Sequence, residues 1–217
     1  MRRGIAISAA CVLALVLAAP AAAGPNVSNS SGGFTGAEGD WSTYDDTTGA
    51  STYGFLFVHL DAGQKTATVD FNQFSGTKVQ CTGQDTPDDP SDDSYGGIGE
   101  SFYGSGPASS FKVPKDFSLA AATATIDLYH DTYNDCTGEY VSDFVGGVNV
   151  GLNLTANGPL ATFKDRTTFH VKGGTSGHSS IVQTTRPATG SVTIAGVQTT
   201  VDFGIIGSVS WKDHSKG

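Results

Sequence analysis

In the segments 66–72, 122–129 and 147–155 the apolar residues fall on alternate positions, and no segment after residue 23 keeps an i, i+3, i+4, i+7 apolar pattern for three turns. A period of two is what a half-buried strand requires, because successive side chains of a strand point to opposite faces. Ala67, Val69 and Phe71 alternate with Thr68, Asp70 and Asn72; Ala122, Ala124, Ile126 and Leu128 alternate with Thr123, Thr125, Asp127 and Tyr129. Val148, Val150, Leu152 and Leu154 do the same against Asn149, Gly151 and Asn153. Shorter runs at 54–60, 109–113, 161–171, 179–185, 190–194, 197–203 and 204–211 bring the series to about ten strands. The expectation is an all-β fold, an antiparallel β-sandwich of about ten strands, with a closed β-barrel as the alternative and no substantial helix. Phe74 falls out of phase with Phe71, which predicts a bulge near Asn72–Gln73. Phe55, Phe57, Phe71, Phe163 and Phe203 lie at strand positions and are assigned to the core.

The N-terminus reads as an export signal. Arg2 and Arg3 precede the apolar run "IAISAACVLALVLAAP", and Ala21, Ala22 and Ala23 supply the small residues that signal peptidase accepts. Residues 1–23 are therefore expected to be removed, together with Cys11, and the chain to be secreted or displayed at a cell surface. The alanine-rich signal is of bacterial type, a setting in which the sequons at Asn26, Asn29 and Asn153 stay silent. The apolar run is shorter than the roughly 20 residues of a membrane-spanning helix, and no later segment approaches that length. Residues 24–40, polar and rich in Gly and Ser, are expected to be a flexible leader, and 41–217 a single all-β domain. Within it, 83–108 reads as one long loop of Gly, Asp, Ser and Pro.

Charge narrows the partners. Without Arg2 and Arg3 the chain has ten basic residues against 21 acidic ones. An exported, acidic chain lacks the clustered Lys and Arg that nucleic acid or an anionic membrane surface demands. Two cysteines remain after the signal, Cys81 and Cys136, and in an oxidising compartment one disulfide is the economical reading.

That bridge defines the candidate site. It would gather Asp85, Asp88, Asp89, Asp92 and Asp93, which follow Cys81, and Asp131, Asp135 and Glu139, which flank Cys136. Hard oxygen donors suit Ca²⁺, so Asp88, Asp89, Asp92, Asp93, Asp131 and Asp135 are the candidate metal ligands, although "DDPSDDSYGG" lacks EF-hand spacing. A solvated acidic loop that binds nothing is the competing reading. Tyr95, Tyr103, Tyr129, Tyr133 and Tyr140 accompany these acids. Rings beside carboxylates suit sugars, because the ring covers the apolar face of a pyranose while the acids take its hydroxyls. The competing reading packs these rings back against the fold.

Signatures of catalysis are weak. Asp70 and Asp127 hold matching outward positions in "TATVDF" and "TATIDL" and would serve a glycosidase-like pair if their strands were neighbours. After residue 23 there is no G-x-S-x-G elbow and no H-x-x-x-H pair. His178 in "GTSGHSSI" sits among hydroxyls without a defined base partner. The sequence thus points first to a secreted or cell-surface, non-catalytic protein that binds a glycan or envelope component at the Cys81–Cys136 edge. A secreted hydrolase is the alternative, and a purely structural surface protein the third reading.

Overall fold

The computed structural model describes residues 28–81, 95–170 and 176–216. Nine strands account for nearly all of them: β1 (Ser28–Tyr44), β2 (Ser51–Asp61), β3 (Thr68–Gln80), β4 (Tyr95–Lys112), β5 (Leu119–Asn134), β6 (Glu139–Ala156), β7 (Ala161–His170), β8 (Ser176–Ile194) and β9 (Val197–Lys216). The described residues contain no helix, as the alternation requires. All strands belong to one antiparallel sheet in the order β6-β5-β4-β3-β2-β1-β9-β8-β7, and a further β6–β8 pairing turns that sheet back on itself into a ring-like wall.

The core lies inside the ring. Ala37 and Trp41 of β1, Leu56 and Val58 of β2, and Val69 and Phe71 of β3 point inward and are buried. Ala122, Ala124, Ile126 and Leu128 of β5 meet Val150, Leu152 and Leu154 of β6 there, with Val192, Val201 and Ile206 closing the wall. Intervening Thr, Asn, Asp and Tyr positions face outward. Gly54 is required opposite Trp41, because a Cβ at residue 54 would lie 2.2 Å from the indole ring. Trp41 uses that space to stack on Phe71, with ring centroids 6.2 Å apart.

Several boundaries differ from the sequence reading. Residues 28–40, expected in a flexible leader, form most of β1, which pairs with β2 and β9 on its two sides. Its glycines hid the alternation of Ala37, Gly39 and Trp41 from a search for apolar side chains. Likewise 95–108, expected in a loop, is strand β4, paired throughout with β3 and for most of its length with β5. Backbone ladders on both sides hold this Gly/Ser-rich stretch, where side-chain patterning is silent. Residues 83–94 of that expected loop lie outside the described residues. Ten short strands become nine because 190–194 continues β8, 197–203 and 204–211 both belong to β9, and β1 is added. No bulge occurs near Asn72–Gln73: the β3–β4 register is continuous and Phe74 faces outward, stacked on Tyr133 at 5.7 Å. Phe163 and Phe203, assigned to the core, are exposed, and Phe55 and Phe57 stand on the outer face. Only Phe71 of that group is fully interior.

One arrangement governs the outline of the molecule. Ala156 of β6 pairs with Ala188, and Ala161 of β7 pairs with Thr185, so β6 and β7 run collinearly along the same side of β8. Pro187, which has no N–H to donate, sits at the changeover, where its carbonyl accepts from Asn157 N at 3.0 Å. Arg186 Nε donates to Gly158 O at 2.9 Å across the same break. On one side of the core, β3–β6 project as a half-wall ending at the Cys81–Cys136 bridge. On the other, β7, the first half of β8, the end of β9 and the start of β1 project as a second half-wall.

Candidate functional site

Cys81 and Cys136 form the expected disulfide, with Cα atoms 5.2 Å apart. It ties the end of β3 to the β5–β6 turn. There Asn134 O accepts from Gly138 N at 2.8 Å and Gly138 takes a left-handed φ of 71°, so "Cys136-Thr137-Gly138" is turn chemistry. Such a bridge fits an extracellular protein. No helix among the described residues is long and apolar enough to cross a membrane.

Above the bridge, cross-strand register sorts the tyrosines. Tyr103 of β4 pairs with Tyr129 of β5, which pairs with Phe144 of β6; Tyr133 pairs with Tyr140 two outward rows nearer the bridge. All five stand on the outer face, on strands and not on loops. Tyr103 and Tyr129 stack at 5.6 Å with an interplanar angle of 15°, and Tyr129 meets Phe144 at 5.3 Å. Phe74 and Tyr133 extend the row toward β3, and Tyr53 adds another ring from β2, opposite Phe74. Tyr140 is 63% exposed, Phe144 61% and Tyr129 40%. Tyr103 and Tyr133 are half-buried. The side chain of Tyr95 lies outside the described residues.

Asp131 lies at the centre of this face, between Ser101 and Ser142 in register. Its carboxylate accepts from Ser142 Oγ at 2.6 Å, from Tyr140 OH, and from Tyr103 OH at 3.4 Å. It is only 8% exposed, shielded by its own hydroxyl donors and not by depth in the core. The Ser142 and Tyr140 hydroxyls hold its carboxyl below the usual carboxylate range, while the bond to Asp131 pushes the Tyr140 phenol up. Asp131 is thus committed to orienting two tyrosines.

The calcium reading loses two of its candidate ligands to other roles. Asp131 is taken up as described, and Asp135 Oδ2 accepts from Gly97 N at 2.9 Å. Asp88, Asp89, Asp92 and Asp93 lie outside the described residues. Among the described residues no group of three His, Cys, Asp or Glu side chains converges as metal ligands would.

The inner side of this half-wall is concave, an open cavity of about 950 Å³ lined by Ser75, Thr77, Ile98, Glu100, Thr132 and Val141. Near it, His130 Nε2 lies 2.9 Å from Glu100 Oε2, and its ring stacks on Phe102 at 4.3 Å.

Comparison with protein-family models, curated proteins and solved structures gives no match. Function must therefore be read from these groups alone.

The proposed catalytic carboxylates are not brought together. Asp70 and Asp127 both face outward and share a cross-strand row, but Ser105 of β4 stands between them. Asp70 turns to His59, Oδ2 to Nδ1 at 3.6 Å, and burial raises its carboxyl. His178 pairs across strands with His214, rings 5.2 Å apart, and His214 Nδ1 meets Asn29 Oδ1 at 2.6 Å.

Sequence reasoning missed Glu38 and Asp40. They occupy alternate outward positions of β1, Glu38 between Phe57 and Ile205 and Asp40 between Phe55 and Phe203. Burial among these apolar neighbours, then the Asp40 charge, pushes Glu38 up to about 7. Burial likewise pushes Asp40 up to about 6, and its buried Oδ1 has no hydrogen-bond partner. The available signal was Ala37-x-Gly39-x-Trp41 facing inward, which leaves Glu38 and Asp40 on the opposite face.

Proposed function

We propose that the chain is an exported, non-catalytic carbohydrate-binding protein whose binding surface is the outer face of β3–β6 above the Cys81–Cys136 bridge. The single observation behind this reading is Asp131, a carboxylate used to fix Tyr103 and Tyr140 beside the exposed rings of Tyr129 and Phe144. A wall that only had to stay soluble would leave an acid on its surface hydrated. Here the acid prepays the ordering of aromatic side chains, which is the cost a ligand would otherwise meet. Rings about one strand spacing apart form a strip that covers C–H faces of successive sugar units. Asp127 and Ser105, in the row next to Tyr129 and Tyr103, supply polar groups for hydroxyls at its border. The acidity of the chain favours neutral or cationic glycans over acidic ones.

The test is depletion of the protein from solution by insoluble cellulose, chitin and peptidoglycan, with tyrosine fluorescence as a second readout. Binding to at least one polymer is expected. Tyr129→Ala and Phe144→Ala should each weaken it about tenfold, the loss of one well-packed aromatic contact. Asp131→Asn, which keeps the shape but accepts fewer hydroxyl bonds, should weaken binding without removing any ring. Failure to bind any of the three polymers, or full binding by the Tyr129→Ala/Phe144→Ala double variant, rejects this surface.

A further inference from the structure

The two half-walls leave two strand edges without partners among the described residues. From Glu139 to Val148, β6 pairs with β5 alone, because Ala195 N reaches Asn149 O at 2.9 Å and β8 joins the ladder only at Val150. β7 pairs with β8 alone, and all ten of its residues are exposed. Soluble proteins normally blunt such edges with proline, a bulge or a covering loop, since an open edge recruits another strand. Here each edge carries apolar surface as well: Val141, Phe144 and Val145 on β6, Phe163 and Phe169 on β7.

The edges are complementary. On the inner face of its edge β6 bears Glu139 and Asp143, which pair with Asn134 and His130 of β5. On the inner face of β7 stand Lys164 and Arg166, opposite Val182 and Ser180 of β8. Neither Lys164 nor Arg166 forms an ion pair among the described residues. Lys212 lies on the same inner face of that half-wall, while Glu100 lies on the inner face of the other. An acidic chain has thus gathered opposite charges at its two ends.

Geometry fixes how they would meet. β6 and β7 run in the same direction, both antiparallel to β8. The free edge of β6 is the one facing the β8 side, whereas the free edge of β7 faces away from β8. A second copy displaced along the strands and turned by one strand position about the ring therefore brings its β7 beside β6, parallel, with the inner faces on the same side. We propose that this chain assembles head to tail, β7 of one copy completing the sheet at Glu139–Phe144 of the next. Placing Arg166 beside Asp143 puts Lys164 between Glu139 and Asp143 on the inner face and Phe163 beside Tyr140 on the outer face. The open four-strand half-wall β3–β6 is then continued by the four strands β7, β8, β9 and β1 of the neighbour. The interface is heterologous and does not close on itself, so it propagates as a filament.

The exported chain, purified without residues 1–23, is examined by sedimentation velocity and electron microscopy at about 50 mM and about 500 mM NaCl, where screening differs strongly. Concentration-dependent oligomers or filaments that shrink at high salt are expected. Lys164→Glu/Arg166→Glu and Glu139→Lys/Asp143→Lys should each weaken association at least tenfold, from the reversal of two cross-strand charges. An equimolar mixture of the two variants should regain assembly, since each supplies the edge the other lacks. Circular dichroism and melting confirm that both variants fold. A monomer at millimolar concentration and low salt, assembly by either variant at the wild-type level, or folded variants that do not recover on mixing would each overturn the proposal.

Discussion

Reducing the Cys81–Cys136 bridge, or replacing both cysteines by serine, should cost about 4 kcal/mol of unfolding free energy, the chain-entropy value for a loop of this length. The separation of 55 residues spans the end of β3, all of β4 and β5, and the turn into β6. Without the bridge, the outer ends of β3–β6 are held only by ladder hydrogen bonds and by surface rings such as the Phe74–Tyr133 stack. The inward side offers no compensating core there, since the cavity beside Ser75 and Thr132 is open. The loss should therefore begin at the half-wall, with early hydrogen exchange in 95–100 and 132–142 and slower exchange near Leu56 and Ile206. Urea denaturation with and without reductant measures the total. A change below about 1 kcal/mol would mean that the loop is already confined in the unfolded chain.

A second large effect follows from Glu38 and Asp40. Both carboxyls titrate higher in the folded chain, near 7 and 6, than their ordinary values of 4.5 and 3.8. Between these limits the folded state binds more protons than the unfolded one, so stability falls as pH rises from about 4 to 7. Because the two groups share charge and are partly solvated, the combined loss should be on the order of 3 kcal/mol, below the sum of two independent shifts. Asp131, held low by Ser142 and Tyr140, acts in the opposite sense and loses its contribution as pH drops through the acid range below 3.8. The expected profile peaks in mildly acidic solution. Glu38→Gln, which keeps a neutral side chain between Phe57 and Ile205, should raise stability at pH 8 by on the order of 1–2 kcal/mol and flatten the slope. A urea midpoint that stays level or rises between pH 5 and 8 would contradict this account of the pair.

What the sequence disclosed tracks the information carried by side-chain alternation. Strands β3, β5 and β6 were legible because their inward positions are Val, Leu, Ile, Phe and Ala, set against Thr, Asp and Asn, and β2 was legible as a short apolar run. β1 and β4 were not, because their ladders run through glycine and serine, which signal loops when read locally. Gly54 and Trp41 show why: the bulk on one strand requires its absence on the next, a relation between residues 13 apart that no local window registers. The disulfide was legible from compartment and count. The sequence set the tyrosines on loops near it, whereas Tyr103, Tyr129, Tyr133 and Tyr140 stand on strands, a placement that depended on β4 being a strand. Asp131 was taken for a metal ligand because sequence shows acids together without showing that hydroxyls from β4 and β6 reach one of them first. The edge pattern was invisible, since it rests on β6 and β7 sharing β8, which the "NGPL" break between them conceals.

The closure of the ring also sets the order in which this chain reaches its native state. β9 lies between β1 and β8, and Ser28 pairs with Ser215. β1 thus waits for β9, and the contacts that seal the wall join residues far apart in sequence. High contact order of this kind slows folding toward the millisecond-to-second range of all-β proteins, because the loop-closure entropy is spent before the pairing is gained. A chain that has emerged only as far as β8 still has β1 exposed along one edge. Until Val197–Lys216 is in place, β1 and β8 each keep an edge that β9 alone covers, so β9 is the strand that seals this side of the ring.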